Sequence, residues 1–324
     1  MVEIERLDVR GWEVLRLTTD TVQVDLVPAL GGTIISLLRR ADDTELLWKA
    51  PWGLRHVGSP ALPGNASALM YDNFPGGWFS MFPNAGDSAV LHGAEWGGHG
   101  EARLTWLDWS FTGSSVQMAG RLIRSPFLFA KTVSLRGHEI VVDETVTNVG
   151  GERIETTWGS QLMLGGALVG PDTIVDSGAS TVHPDPSTSG GSDYHDILPW
   201  PRSHGAGSIV NLRTLPAPGS GESRLAYLAD FSRPTLSVTR AAHRLGLDLS
   251  WDLESWPYAW YGMEAGGSTG FPWFSNGYHL ALTPSSSWPA HGVHNARRVS
   301  DSAVWLEPGE TRTASVTAAV LPAV

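Results

Sequence analysis

The chain has no cysteine in its 324 residues. That excludes disulfides, a thiolate nucleophile and Cys-ligated zinc. Positive charge is scarce too: 22 Lys and Arg stand against 33 Asp and Glu, giving a formal charge of −11 and a pI near 5.4. Phosphate binding needs a basic surface, so neither a nucleic-acid nor an anionic-membrane partner is expected. Blocks of like charge are missing, and no apolar run approaches the roughly 18 residues of a membrane span. The opening MVEIERLDVRGWEV puts acids where a signal peptide needs a basic and then an apolar run, so a soluble cytoplasmic protein is expected. Helical periodicity is also lacking: from Glu101 to Gln161 nothing holds it over ten or more residues, and no helical domain stands out elsewhere.

What the chain does have is alternation and tryptophan. Its 15 Trp exceed the 9 Phe and the 6 Tyr. Flat indole faces suit the apolar C–H faces of sugars, although large β cores take up Trp as well. Short strands are predicted at Trp12–Leu17, Val22–Val27, Thr33–Leu38 and Glu45–Trp48, with Val22, Val24 and Leu26 alternating with polar Gln23 and Asp25. A looser, Gly/Pro-rich passage runs from Pro51 to Gly77. Beyond it the pattern predicts strands at Ala102–Trp106, Val116–Ile123, Phe127–Leu135, Glu139–Asn148 and Arg153–Gln161, separated by Gly, Pro and Ser turns as in an antiparallel all-β fold. About 183–223 is Ser/Gly/Pro-rich and reads as a loop-rich insertion rather than a boundary, so residues 1–324 are expected to form one domain. Strands resume at Leu225–Ala229, Leu236–Arg240, Leu245–Trp251, Ala259–Glu264 and Gly277–Leu282, and the chain closes with Ala303–Leu306 and Arg312–Val320.

Between Phe74 and Trp106 the composition suits the floor of a polar pocket: two histidines, three acids and six aromatics among glycines and prolines. His99-Gly100-Glu101 is its sharpest point, placed where a loop enters a predicted strand. His92, His99 and Glu101 match no common metal-ligand spacing, so no metal is expected. Asp87 caps its own Asn-Ala-Gly turn or reaches a sugar hydroxyl. His291-Gly-Val-His294 falls in a Pro/Ser-rich loop and is expected to be exposed.

Four separated pieces together resemble the aldose 1-epimerase (galactose mutarotase-like) superfamily. They are VPALGGTIISL within Val22–Trp48, FPNAGD and HGEARLTW within Phe82–Trp106, VTNVGGERIETTWGSQLMLGG within Val146–Gly166, and LSWDLESWPYAWYGMEAGG with YHLALTPSSSWP within Leu245–Pro289. The resemblance implies a β-supersandwich of two large antiparallel sheets with a concave carbohydrate cleft, no cofactor, a small-molecule sugar as ligand and a monomer or homodimer. In that family a carboxylate takes the anomeric proton while a histidine protonates the ring oxygen, opening the ring. His99 matches the family's first, substrate-binding histidine. The general-acid histidine is replaced by Gln161 and the glutamate base by Thr283, and neither replacement exchanges a proton near neutral pH. The arginine often found beside the Phe-Pro motif is absent too.

Two readings follow. In one, the acid/base pair has moved: Glu264 shares a face with Trp260 and Gly262 and meets His279 across the sheet if the register allows, and His99, Glu264 and His279 carry anomer interconversion. In the other, the cleft binds sugar without catalysis. In both, Asp87, Gln161, Trp158, Trp260 and Thr283 are the expected substrate contacts.

Overall fold

The computed structural model describes residues 2–60 and 70–321. The middle of the Pro51–Gly77 passage, 61–69, thus lies outside the described residues. Strands dominate and pair antiparallel in two layers. One layer runs Asp108–Thr112, Ser115–Arg121, Phe127–Arg136, Glu139–Asn148, Thr311–Val320 and Leu245–Trp251. The other runs Glu3–Val9, Trp12–Thr18, Val22–Val27, Thr33–Arg39, Trp78–Met81, Gly159–Leu164, Tyr278–Ser285 and Tyr258–Ala265. The 19-residue strand Glu222–Arg240 belongs to both: its first third pairs with Tyr258–Ala265 and its last third with Leu245–Trp251. Ile174–Pro184 follows it along its length, with a register shift between Ser177 and Ala179 close to Asp230, whose φ is 52°. Bulges of this kind bend a strand, which lets one strand pass from one layer to the next.

Between the layers lies the main core. Val24, Ile34, Leu162, Tyr261 and Leu282 meet Val133, Val142, Leu247 and Val316, all 0% exposed. Fully burying an aliphatic side chain of this size is worth roughly 1.5–3 kcal/mol. Because side chains alternate along each strand, fixing these residues inward sends their neighbours to the outer face of the second sheet.

Several sequence expectations change. Ala102–Trp106 was predicted as a strand, but Ala102–Leu104 is a 3-10 turn whose first N–H donates to the Phe82 carbonyl, so docking on the Phe82-Pro83 turn overrides the alternating pattern. Gly100 is required there, because a Cβ would fall 2.2 Å from the Phe82 oxygen at a φ of 75°. Arg153–Gln161 splits into Ile154–Thr156, which pairs with Val304–Leu306, and Gly159–Leu164 of the second sheet. Within 183–223 the short strands Leu198–Pro199, Arg202–His204 and Ile209–Asn211 occur. Leu225–Ala229 and Leu236–Arg240 are parts of one strand. Val293–Ser300 is a helix where a loop was expected, ending on Asp301 in the left-handed conformation with Arg297 and Arg298 in its last turn. Among the described residues no helix is long and apolar enough to cross a membrane.

One polar network sits inside the sandwich. Lys131 and Glu144 have fully buried side chains, with their charged atoms 3.9 Å apart. Ser80 bridges them, accepting from Lys131 Nζ at 3.0 Å and donating to Glu144, while Trp158 Nε1 donates to the other carboxylate oxygen at 2.8 Å. Burial pushes the lysine pKa down and the glutamate pKa up. Removing one partner leaves the other charge stranded, at a cost of about 3–5 kcal/mol. Lys131→Met should therefore lower the unfolding free energy by about that much in chemical denaturation, and Lys131→Met with Glu144→Gln should recover part of the loss. Equal stabilities of single and double variants would rule this out.

Candidate functional site

The outer face of the second sheet presents ordered cross-strand rows. Phe79 stands opposite Gln161, Thr283 opposite Trp260, and Trp260 opposite Tyr227. Thr283 Oγ1 donates to Gln161 Oε1 at 3.3 Å, which joins these pairs into one row across five strands. Phe79, Thr283, Trp260 and Tyr227 are 0–3% exposed, so Gln161 is the one member of the row that solvent reaches. The next row is Met163, Ala281, Gly262 and Leu225. Its central residues, Ala281 and Gly262, are small and half-buried beside Gln161. Glu264 and His279 come next, directly opposite one another.

The walls carry the polar groups. His99 has a φ of 59° and lies 6.0 Å from the Phe79 ring; its Nδ1 accepts the Gly86 N–H at 3.1 Å, which leaves the neutral-ring proton on Nε2. Burial, with Arg103 nearby, pushes its pKa down to about 4. His99 is therefore a hydrogen-bonding group at neutral pH and not an acid. Arg103 lies over the Phe74 and Phe79 rings at 5.5 and 5.4 Å, donates to the Met70 carbonyl at 2.6 Å, and keeps an unpartnered buried Nε. Composition did not mark it, because the sequence puts it on a predicted strand.

At the Tyr227 end, His291 bridges two carboxylates: Nδ1 to Asp87 at 3.0 Å and Nε2 to Asp185 at 2.8 Å. Tyr227 donates to Asp185 at 2.5 Å and accepts the Ala290 N–H at 3.0 Å. Hydrogen bonds to Asp185 and then Asp87 raise the His291 pKa to about 10, so the ring is an imidazolium. Burial opposes the charge on Asp185, but hydrogen bonds from His291, Ser187 and Tyr227 outweigh it and hold that carboxyl below its usual range. Sequence reading put His291 in an exposed loop; its partners stand 106 and 204 residues away, a separation that no local pattern reports. Asp87 does not cap its turn with its side chain; Asn84 Nδ2 closes that turn on the Asp87 carbonyl.

Of the expected site residues, Asp87, His99, Gln161, Trp260, Thr283, Glu264 and His279 all stand on this face or its walls. Trp158 does not: it points into the sandwich interior, 3% exposed, with its indole on Glu144. Glu264 and His279 adjoin, and each is held by its own surroundings. Both Glu264 oxygens accept from Ser268, one from its N–H at 3.1 Å and the other from its hydroxyl at 2.5 Å. His279 is 5% exposed between Trp48 and Trp273, at 4.8 and 4.9 Å, with an unpartnered Nδ1, and burial pushes its pKa down to about 3. Glu101 is committed elsewhere, accepting the Ile123 and Arg124 N–H groups and the Ser125 hydroxyl. A cavity of about 640 Å³ beside it is lined by Gly98, Gly100, Leu104, Trp106, Arg121 and Ile123, so it adjoins the backbone on either side of His99. Among the described residues no group of three or more His, Asp or Glu side chains is arranged to hold a metal ion.

No protein-family model matches the chain, and no curated protein matches it. Solved structures do. A galactose mutarotase related enzyme from Lactobacillus acidophilus aligns over 98% of its own length and 99% of this chain, at 12% identity and a TM-score of 0.66. A galactose mutarotase-like protein from Lactobacillus casei aligns over 100% of its length and 95% of this chain, at 16% identity and a TM-score of 0.66. One from Clostridium acetobutylicum covers 98% and 99% respectively, at 12% identity and a TM-score of 0.65. The chain has the galactose mutarotase-like fold. Within this mutarotase-like fold the His291 bridge ties the loop at Asp87, the end of the strand Ile174–Pro184 and the start of the helix Val293–Ser300 into one end of the face.

The bridge has a pH signature. An unfolded histidine titrates near 6.5, and the folded His291 near 10. Its contribution to stability is therefore complete below about pH 6.5, declines above it and is gone above about pH 10. His291→Gln should lower the melting temperature at pH 6 and flatten its decline between pH 6.5 and 10. Parallel melting curves for the two proteins across that window would rule the bridge out as the cause.

Proposed function

We propose that the protein binds a monosaccharide or sugar derivative on the outer face of the second sheet, and that it does so without opening the sugar ring. The observation that carries this is the Thr283 to Gln161 hydrogen bond at the centre of the cross-strand row. By the resemblance in sequence, these two positions carry the base and the acid of aldose 1-epimerases. Here they hold an alcohol and an amide that bond to each other. With Oε1 taken by Thr283, Gln161 turns its NH2 outward as a donor to a sugar oxygen. His99 Nε2–H is a second donor, and the exposed Asp87 carboxylate is an acceptor for hydroxyls. Trp273, half-buried against His279, supplies apolar area for the C–H face of a ring.

The competing reading is anomer interconversion with Glu264 and His279 as a relocated pair, and their direct opposition across the sheet is what speaks for it. Against it stand Glu264's double bond to Ser268 and a histidine that burial keeps unprotonated at neutral pH. A general acid needs a pKa near the working pH, and burial holds His279 well below it.

Calorimetric titration with a panel of aldoses and methyl glycosides should detect binding, and Gln161→Ala should weaken it about tenfold, the loss of one hydrogen bond of about 1.4 kcal/mol. Polarimetry of fresh α-glucose and α-galactose should show no acceleration of mutarotation. Acceleration that disappears in Glu264→Gln would restore the enzymatic reading, and absence of affinity for every sugar would remove both.

A further inference from the structure

We propose that the cavity between Trp52 and Phe271 is a second carbohydrate subsite, so that the natural ligand is a glycoside or short oligosaccharide and not a free monosaccharide. This rests on the sugar-binding reading above and extends it to a class of ligand.

The cavity is lined by Trp52, Arg55, Tyr71, Asp72 and Phe271 and has a volume of about 270 Å³. Pockets for drug-sized ligands span roughly 300–1,000 Å³, so this one suits a single ring with its substituents. Three of its five walls are aromatic. Trp52 Nε1 donates to the Phe74 carbonyl at 2.8 Å, which fixes the indole plane. Tyr71 and Phe271 meet edge to face, at 5.4 Å and 89°. Phe271 is 58% exposed. A large apolar ring held out in water at the mouth of a small cavity is the feature expected where a ligand's apolar face completes the packing.

The remaining two walls are polar and of opposite charge. Arg55 Nη1 and Asp72 Oδ2 are 4.0 Å apart, beyond a hydrogen bond. Arg55 Nη2 donates to the Pro60 carbonyl at 2.8 Å, which anchors the guanidinium. A guanidinium and a carboxylate at that separation offer donors and an acceptor side by side, matching two neighbouring hydroxyls of a pyranose, each of which both donates and accepts. Their charges balance, so the cavity favours a neutral sugar over a phosphate or a carboxylate.

Aromatic contacts join the cavity to the sheet face. Tyr71 touches Phe74 at 6.1 Å, and Phe74 touches Phe79 at 5.4 Å, the residue opposite Gln161. On the other flank Tyr71 meets Trp273 at 6.0 Å, which covers His279. Tyr71 and Trp273, both only half-buried, thus carry an aromatic edge from the cavity to His279 on the sheet face, along which a second ring would follow the first.

Calorimetric titration would compare glucose, galactose and their methyl glycosides with maltose, cellobiose and lactose. At least one disaccharide should bind tenfold or more tighter than its component monosaccharide. Phe271→Ala, at an exposed position, should erase that gain while leaving monosaccharide affinity unchanged, and Asp72→Asn should reduce it; circular dichroism confirms that both variants fold. Monosaccharide binding with no disaccharide gain, or a gain that survives both substitutions, overturns the second subsite alone. No binding of any sugar overturns the parent reading and this one with it.

Discussion

The outer face depends on the register between Gly159–Leu164 and Tyr278–Ser285. Leu162 stands opposite Leu282 and Leu164 opposite Leu280, all four wholly buried between the layers. Side chains alternate strictly along a strand, so this inward set sends Gln161, Met163, Ala281 and Thr283 outward. A slip by one residue would turn the leucines to the surface and the polar pair into the core, a change that a close-packed sandwich does not tolerate. The hydrophobic interior therefore decides which polar groups face outward. The same logic runs through Tyr258–Ala265, where Ala259, Tyr261 and Met263 face inward and Trp260, Gly262 and Glu264 face out.

Electrostatics act on this frame at two depths. Inside the sandwich Lys131 and Glu144 are shut away from water and held through Ser80 and Trp158, which makes them a device for fixing how the layers meet and gives them no access to a ligand. At the edge of the face His291 is only partly covered and sits between one buried and one exposed carboxylate. That arrangement ties three chain segments together while leaving the Asp87 side chain 70% exposed. One pair stabilises from within; the other shapes the rim.

Much of the fold was legible in the sequence. Strand alternation such as Val22-Gln23-Val24-Asp25-Leu26 reports local geometry, and Glu139–Asn148 matches the structure at both ends. The opposition of Glu264 and His279 followed from parity once a register was supposed. Legibility failed where distant contacts govern. Ala102–Trp106 alternates like a strand, yet the Phe82 carbonyl captures its first N–H and curls it into a turn. Trp158 lies beside the Gln161 strand but just before it begins, so parity counted along that strand did not apply and its indole went to Glu144. His291 lay in a Pro/Ser-rich stretch that looked like an exposed loop, and its carboxylate partners are far off in the chain.

The proposed binding reading rests on the state of the histidines of this face more than on their number. His99 and His279 are desolvated to the point where an imidazolium is too costly near neutral pH, while His291 is so strongly paired that giving up its proton is equally unfavourable. A general acid has to sit between these extremes, since it must hold its proton before the reaction and release it during it. Desolvation and ion pairing have moved all three out of that window in opposite directions, and the amide of Gln161 never entered it. On the proposed reading the groups left facing outward offer hydrogen bonds to hydroxyls in place of proton exchange, and that chemical character follows from burial and pairing already fixed by the packing of the sheets.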